Sequence, residues 1–225
     1  MKTFKKLICG GLAAAMVLLY NPSFAQEKQQ EKIVKATTVI KNFSGMKENI
    51  PAELMEKAEG IIIIPGLINA GLGIGGKRGK GLAMVKNEDG SWSNPAFVTL
   101  TGGSIGFQVG VQSIDLVMVF MHKSTLMNIG QGEFTLGGDV SVAAGPVGRS
   151  SSATTNTEFD AEVYSYSRSK GLFAGISLNG AQLDIDEDSN REFYSNKSDA
   201  ASIFETSAST DANVKSLKSA IKAVY

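Results

Sequence analysis

Apolar residues fall at helical spacing near both ends of the chain and at strand spacing, or in unbroken runs, between them. Ile33, Ala36, Ile40 and Phe43 form one stripe through a segment rich in lysine and glutamate, which predicts an amphipathic helix over 26–47. Pro51 suits the first turn of a short second helix that runs to Ala58. Residues 61–64 are four isoleucines in succession, the pattern of a strand buried on both faces. Residues 81–86 and 97–100 flank Glu88-Asp89-Gly90, a hairpin signal. A further buried strand is predicted over 115–121, a short helix over 123–129 stopped by Gly130, and strands over 140–144, 161–167 and 172–178. Helical spacing returns over 199–205 and 211–225. In the last segment Val214, Leu217, Ile221 and Val224 make an apolar stripe beside Lys215, Lys218 and Lys222. The pattern is that of an α+β domain: a curled, mostly antiparallel, glycine-rich sheet with helices at its N- and C-terminal ends. It leaves open whether the sheet closes into a barrel.

Composition sharpens this picture in two ways. All but two of the 25 glycines lie from Gly45 to Gly180, and the last 45 residues have none, so tight turns and close-packed strands belong to the middle of the chain. The N-terminus has the three parts of a secretory signal: Lys2, Lys5 and Lys6, then an apolar run of 14 residues from Leu7 to Tyr20, then Ser23-Phe24-Ala25 before Gln26. The run is short of the roughly 20 residues that span a bilayer. Residues 1–25 are therefore expected to be a cleaved signal peptide and 26–225 a single domain, exported to a periplasmic or other extracytoplasmic site. Cleavage removes Cys9, the one cysteine, and with it disulfide, thiolate and cysteine–metal chemistry. It also removes three of the 22 basic residues and none of the 22 acidic ones. The resulting net-acidic domain is a poor fit to nucleic acid, which needs a broad basic surface.

Few residues announce chemistry. Residues 71–76 match G-x-G-x-x-G, but the following Lys77-Arg78-Gly79-Lys80-Gly81 is too glycine-rich to open the helix that a phosphate-binding loop needs; a close-packed or bulged strand is the simpler reading. Asp184, Asp186, Asp188 and Asn190 are spaced like the start of a calcium loop. Ser189 and Ser195 stand where that loop requires glycine and a bidentate glutamate, which leaves a solvated acidic turn. His122 is the only histidine and cannot build a multi-histidine metal site. No cofactor is expected, and no catalytic pair of carboxylates stands out by its spacing, so the chain is expected not to be an enzyme. Lys77, Arg78 and Lys80 place three cations within four residues among glycines, an arrangement suited to an anionic ligand, and Arg149 is a looser member of the same set.

Blocks of sequence over 58–204 resemble the SYLF domain family, also called the Las17-binding or yeast-type actin-binding family. They include AEGIIIIP (58–65), DGSWSNP (89–95), GGSIGFQVG (102–110), TLGGDVSVAAGPVGR (135–149), VYSYSRSKGLFAGISLNG (163–180) and FYSNK (193–197). The resemblance implies a lipid-binding module without catalysis. Eukaryotic members bind phosphoinositides, partly through a basic amphipathic N-terminal segment, and some bind actin; bacterial members are exported single domains. This chain departs from the eukaryotic pattern in its export signal, in the lack of an SH3 or FYVE pattern within its 225 residues, and in the acids Glu27, Glu31 and Glu48 of its N-terminal segment. The expectation is an exported domain that recognises anionic phospholipid or phosphoinositide-type head groups at the cell envelope, with Lys77, Arg78, Lys80 and Arg149 as the lipid-binding residues. A terminal amphipathic helix would serve as a second anchor, because three cations at about 1 kcal/mol each bind weakly. The alternative is a structural or protein-interaction module of the envelope with an envelope protein as partner.

Overall fold

The structure, a computed structural model, describes residues 22–46, 49–129, 134–145, 160–195 and 199–225. Most of the expected signal peptide and Arg149 lie outside these residues.

The described residues begin with helix α1 (Pro22–Ser44), whose stripe Ile33, Ala36, Ile40 and Phe43 is fully buried, and a short α2 (Ala52–Lys57). Two very long strands follow, β1 (Gly60–Val85) and β2 (Ala96–Phe120), paired antiparallel along almost their whole length. The turn between them closes through Asn87 and Ser91, with Gly90 at φ 76°. Then come α3 (Lys123–Met127), β3 (Phe134–Leu136), β4 (Val142–Ala144), β5 (Val163–Ser169), β6 (Leu172–Phe173), β7 (Ala181–Ile185), α4 (Glu187–Tyr194), α5 (Ala200–Phe204) and α6 (Ala212–Lys222).

A straight strand of 26 residues would run about 85 Å, several times the radius of a domain of this size. The β1–β2 ribbon must therefore fold on itself, and its glycines allow it to. The register shifts between Ile64 and Leu67, where Pro65 and Gly66 face Asp115 alone, and again between Leu72 and Gly73. At the first bulge Gly66 takes φ 62° and its N–H is satisfied by Asp115 Oδ1 at 3.0 Å; Pro65, with no N–H to give, fits the interruption. Beyond the second bulge the strand returns across its own first half. A Cβ on Gly79 would lie 2.6 Å from Ile64 Cγ2, and one on Gly81 or Gly75 would collide with the carbonyl oxygens of Ile63 and Ala70.

The remaining strands extend β2 on its other edge. β7 pairs with the first part of β2 (Val98–Gly102) and β5 with the last part (Asp115–Phe120). β3 adds to β7, β6 pairs antiparallel with β5, and β4 adds to β5 in parallel. The result is a mostly antiparallel, nearly closed, barrel-like sheet with helices at both ends, so the α+β expectation holds. Alternation along the strands sends Ile62, Ile64, Leu116, Met118 and Phe120 to the interior, joined by Leu126, Ile203 and Phe204. It sends Ile61, Ile63, Val117 and Val119 outward, under α1, α2 and α6. This is why four isoleucines in a row are all fully buried.

The structure differs from the sequence expectation in four elements. Residues 97–100 and 115–121, expected as separate strands, are two ends of β2. Of the strand expected over 172–178 only Leu172–Phe173 forms a ladder. Residues 181–185 form a strand because Ala181 and Leu183 fill interior positions. The acidic stretch expected as a turn opens α4 instead. Asp186 accepts from Ser189 N–H at 3.3 Å, and Glu187 and Asp188 occupy the first turn, where the helix dipole favours carboxylates.

Candidate functional site

The glycine motif at 71–76 lies within a strand and opens no helix, so it has no phosphate-cradling geometry. The three cations after it alternate sides, as strand residues must. Lys77 turns into the barrel, where it is only 7% exposed; its Nζ donates to the Ser177 carbonyl oxygen, and burial holds its pKa below the ordinary lysine value. Arg78 and Lys80 turn outward on the face that carries the helices. Lys80 pairs with Asp186 Oδ2 at 2.6 Å. Arg78 is exposed and forms no hydrogen bond or ion pair with the described residues. The three cations are thus not brought to one face.

What joins Lys80 is a group the sequence reading passed over. Lys32 on α1 donates to Gln29 Oε1 at 2.7 Å and Ser189 Oγ at 3.3 Å, with its ammonium 5.5 Å from the centre of the Phe97 ring. Its pKa falls to about 8, first from burial and then from the charges of Lys80 and Lys28, against a partial upward pull from Asp186. Burial alone would raise the Asp186 pKa, but the hydrogen bonds from Lys80 and Ser189 outweigh it and keep the carboxyl below its usual value. Lys28 and Lys32 are four residues apart on one helix face, so their proximity was legible; the approach of Lys32 to Lys80, 48 residues further on, was not.

The other candidates have structural roles. Asp186 caps α4 and holds Lys80, and among the described residues no group of three or more His, Cys, Asp or Glu could hold a metal ion. Arg168 donates to Asp115 Oδ2 from both Nε (3.0 Å) and Nη2 (2.7 Å) and lies over the Phe43 ring. His122 is exposed at the start of α3, with Nδ1 2.6 Å from Glu162. The C-terminal stripe is occupied by the core: Val214, Leu217 and Ile221 are buried against α1 and the sheet, and Lys218 donates to Asn94 Oδ1 and the Ser207 carbonyl. Neither terminal helix therefore has a free apolar stripe to anchor the domain. No described helix is long and apolar enough to cross a membrane, which says nothing of crossing by strands.

A glycine-rich ribbon, folded across itself and clasped by helices at both ends of a nearly closed sheet, defines the class of this α+β domain. The chain belongs to the Ysc84 family, described as "Las17-binding protein actin regulator", whose sequence profile matches residues 101–224. It is 34% identical over 171 residues to the human "SH3 domain-containing YSC84-like protein 1", a match covering 76% of this chain and 50% of that protein. It is also 34% identical over 173 residues to the "LAS seventeen-binding protein 3" of Saccharomyces cerevisiae, covering 76% of this chain and 38% of that one. The chain thus spans about half, or less, of the length of these relatives. The family match begins at Thr101, the ladder partner of Arg78, so the cations of β1 precede the matched segment.

Proposed function

We propose that residues 1–25 direct export, and that the domain from Gln26 binds anionic phospholipid head groups at the cell envelope. The observation that carries this reading is Arg78. It is an exposed guanidinium without a partner among the described residues, on a ribbon whose sequence from Gly66 to Gly81 contains three cations and no acid. A guanidinium fork suits a phosphate, and flanking glycines let a head group approach the backbone. Lys80 adds charge beside it while shared with Asp186, and Arg149 belongs to the same proposal. Lys77 supports the ribbon from inside.

The test is co-sedimentation of residues 26–225, which contain every buried residue of the described structure, with neutral and with phosphatidylglycerol or phosphoinositide vesicles. Pelleting is expected with anionic vesicles only and is expected to weaken with salt. Arg78→Glu should lower the affinity about tenfold, since each cation near an anionic surface contributes about 1 kcal/mol and reversal adds repulsion. Equal pelleting of Arg78→Glu and wild type removes this residue as the contact. Mass spectrometry of the secreted chain tests export, with Gln26 as the expected first residue.

A second reading, an envelope module that binds a protein, is favoured by the relatives' names, which describe Las17-binding proteins. It predicts one dominant partner in a pull-down with the same domain and no distinction between vesicle types.

A further inference from the structure

Both terminal helices bury their apolar stripes, yet head-group contact through Arg78, without a partner among the described residues, holds a domain weakly. An apolar element that enters the bilayer would supply the rest. Among the described residues four large hydrophobic side chains are prominently exposed, and three of them gather at one end of the sheet: Ile68 (45% exposed), Val111 (72%) and Leu172 (74%). Ile68 pairs with Ser113, and Val111 with Ala70, two rungs nearer the fold-back. Residues paired in a ladder, or two apart in a strand, share a face, so Ile68 and Val111 project from the same side of the ribbon. The β5–β6 hairpin reaches this end through Ser169, whose Oγ donates to the Ser113 carbonyl at 3.2 Å. Ser169 is the ladder partner of Leu172, and Lys170 and Gly171, both at positive φ, hold Leu172 at the hairpin tip.

Charge at this end matches an anionic surface. The segments that build it (41–44, 66–71, 110–115 and 167–173) contain Lys41, Arg168 and Lys170 and a single acid, Asp115, which Arg168 already holds. The carboxylates of Glu59 and Glu162 stand at the opposite end of the first arm, eight or more residues from Ile68, about 25 Å along the strand. Arg78 borders the same fold-back: Gly79 packs on Leu67, and Arg78 and Ile68 are the next residue on each crossing arm.

We infer that the folded end of the β1–β2 ribbon is a membrane wedge: Ile68, Val111 and Leu172 enter the acyl boundary of an anionic bilayer tip-first, while Lys41, Lys170 and Arg78 meet its phosphates. The inference rests on the lipid-binding reading above and adds to it the element that inserts. Val34, the fourth exposed hydrophobic among the described residues, lies on α1 about 10 Å of helix before Lys41 and is expected to stay in water.

The chain from Gln26 has no cysteine, so single-cysteine variants Val111→Cys and Val34→Cys can each carry an environment-sensitive NBD probe. With phosphatidylglycerol vesicles the probe at 111 is expected to shift to the blue and brighten, and the probe at 34 to stay unchanged. Ile68→Asp combined with Val111→Asp, both at exposed positions, is expected to weaken pelleting by about tenfold or more while leaving the melting temperature unaltered. Pelleting of every variant without a blue shift at 111 overturns the wedge and leaves lipid binding standing. No pelleting of the unaltered domain with any vesicle overturns both. A blue shift at 111 that appears without vesicles as protein concentration rises marks a self-association surface and overturns the wedge.

Discussion

His122, the only histidine, offers a direct readout of one local interaction. Its Nδ1 lies 2.6 Å from Glu162, whose carboxylate also accepts from the His122 N–H and the Thr125 hydroxyl. The hydrogen bond to Glu162, followed by its charge, raises the imidazole pKa above the usual value of 6.5. A raised folded-state pKa means that the folded protein holds the proton more tightly than the unfolded chain does. The pair's contribution to stability is therefore complete below the ordinary imidazole value and is lost as pH rises through the raised one. The imidazole resonances should titrate above 6.5 by NMR, and Glu162→Gln should return the midpoint to the ordinary range; a midpoint unchanged by that substitution means that the pair does not form. Lys77 and Arg78 supply a second contrast. They are adjacent in sequence, yet strand alternation sends one inside and one out, so Lys77→Met should leave vesicle pelleting at the wild-type level where Arg78→Glu reduces it. That division was implicit in a period of two, but it could be applied only once residues 77–80 were known to lie in a strand.

At the scale of elements, the ribbon's fold-back makes glycines unequal. Gly81 approaches the Ile63 carbonyl so closely that a methyl group forces the crossing strands apart, whereas Gly103 has open space where its Cβ would be and ordinary backbone angles. Gly81→Ala is expected to destabilise by at least about 2 kcal/mol. Gly103→Ala should be within about 0.5 kcal/mol of wild type. Urea unfolding of the two variants checks this, and equal midpoints would mean that the strands do not cross there. The same elements show what a sequence reader can recover. The isoleucine run, the stripe of α1, the closing hairpin and the terminal helices were all legible, because each carries its own periodicity or turn residues. The joining of 66–81 and 102–114 into two continuous strands was not, because these segments are held by pairing with each other and by close packing, and glycine leaves no periodic trace. The missed α4 hid behind a resemblance to a calcium loop, although Asp186 followed three residues later by Ser189 is equally a helix cap.

On the scale of the whole molecule, the first and last described helices hold the sheet together. Gln30 on α1 donates to Asp211, the N-cap of α6, and accepts from Asn213 Nδ2 at 2.6 Å. The C-terminal Tyr225 hydroxyl accepts from Trp92 Nε1 at 3.1 Å in the turn that closes the long hairpin. Lys86 stands over both rings, 5.4 Å from Trp92 and 4.8 Å from Tyr225, and donates to the Met55 and Glu56 carbonyls at the end of α2. Three parts of the chain distant in sequence (α2, the hairpin turn and the C-terminus) thus meet around one ammonium, and Leu217 of α6 is fully buried in the core cluster that they share with α1. Leu217→Ala removes that apolar volume from a site enclosed on all sides and should cost about 2–5 kcal/mol. The manner of the loss is as informative as its size. If the clasp is part of one cooperative unit, Trp92 fluorescence and far-UV circular dichroism will report the same lowered midpoint, because the hairpin turn cannot release Tyr225 while the sheet stays intact. If fluorescence changes first, α6 detaches as a separate unit. Its stripe of Val214, Leu217 and Ile221 would then be free to reach a membrane, restoring the terminal-helix anchor that the packed fold withholds.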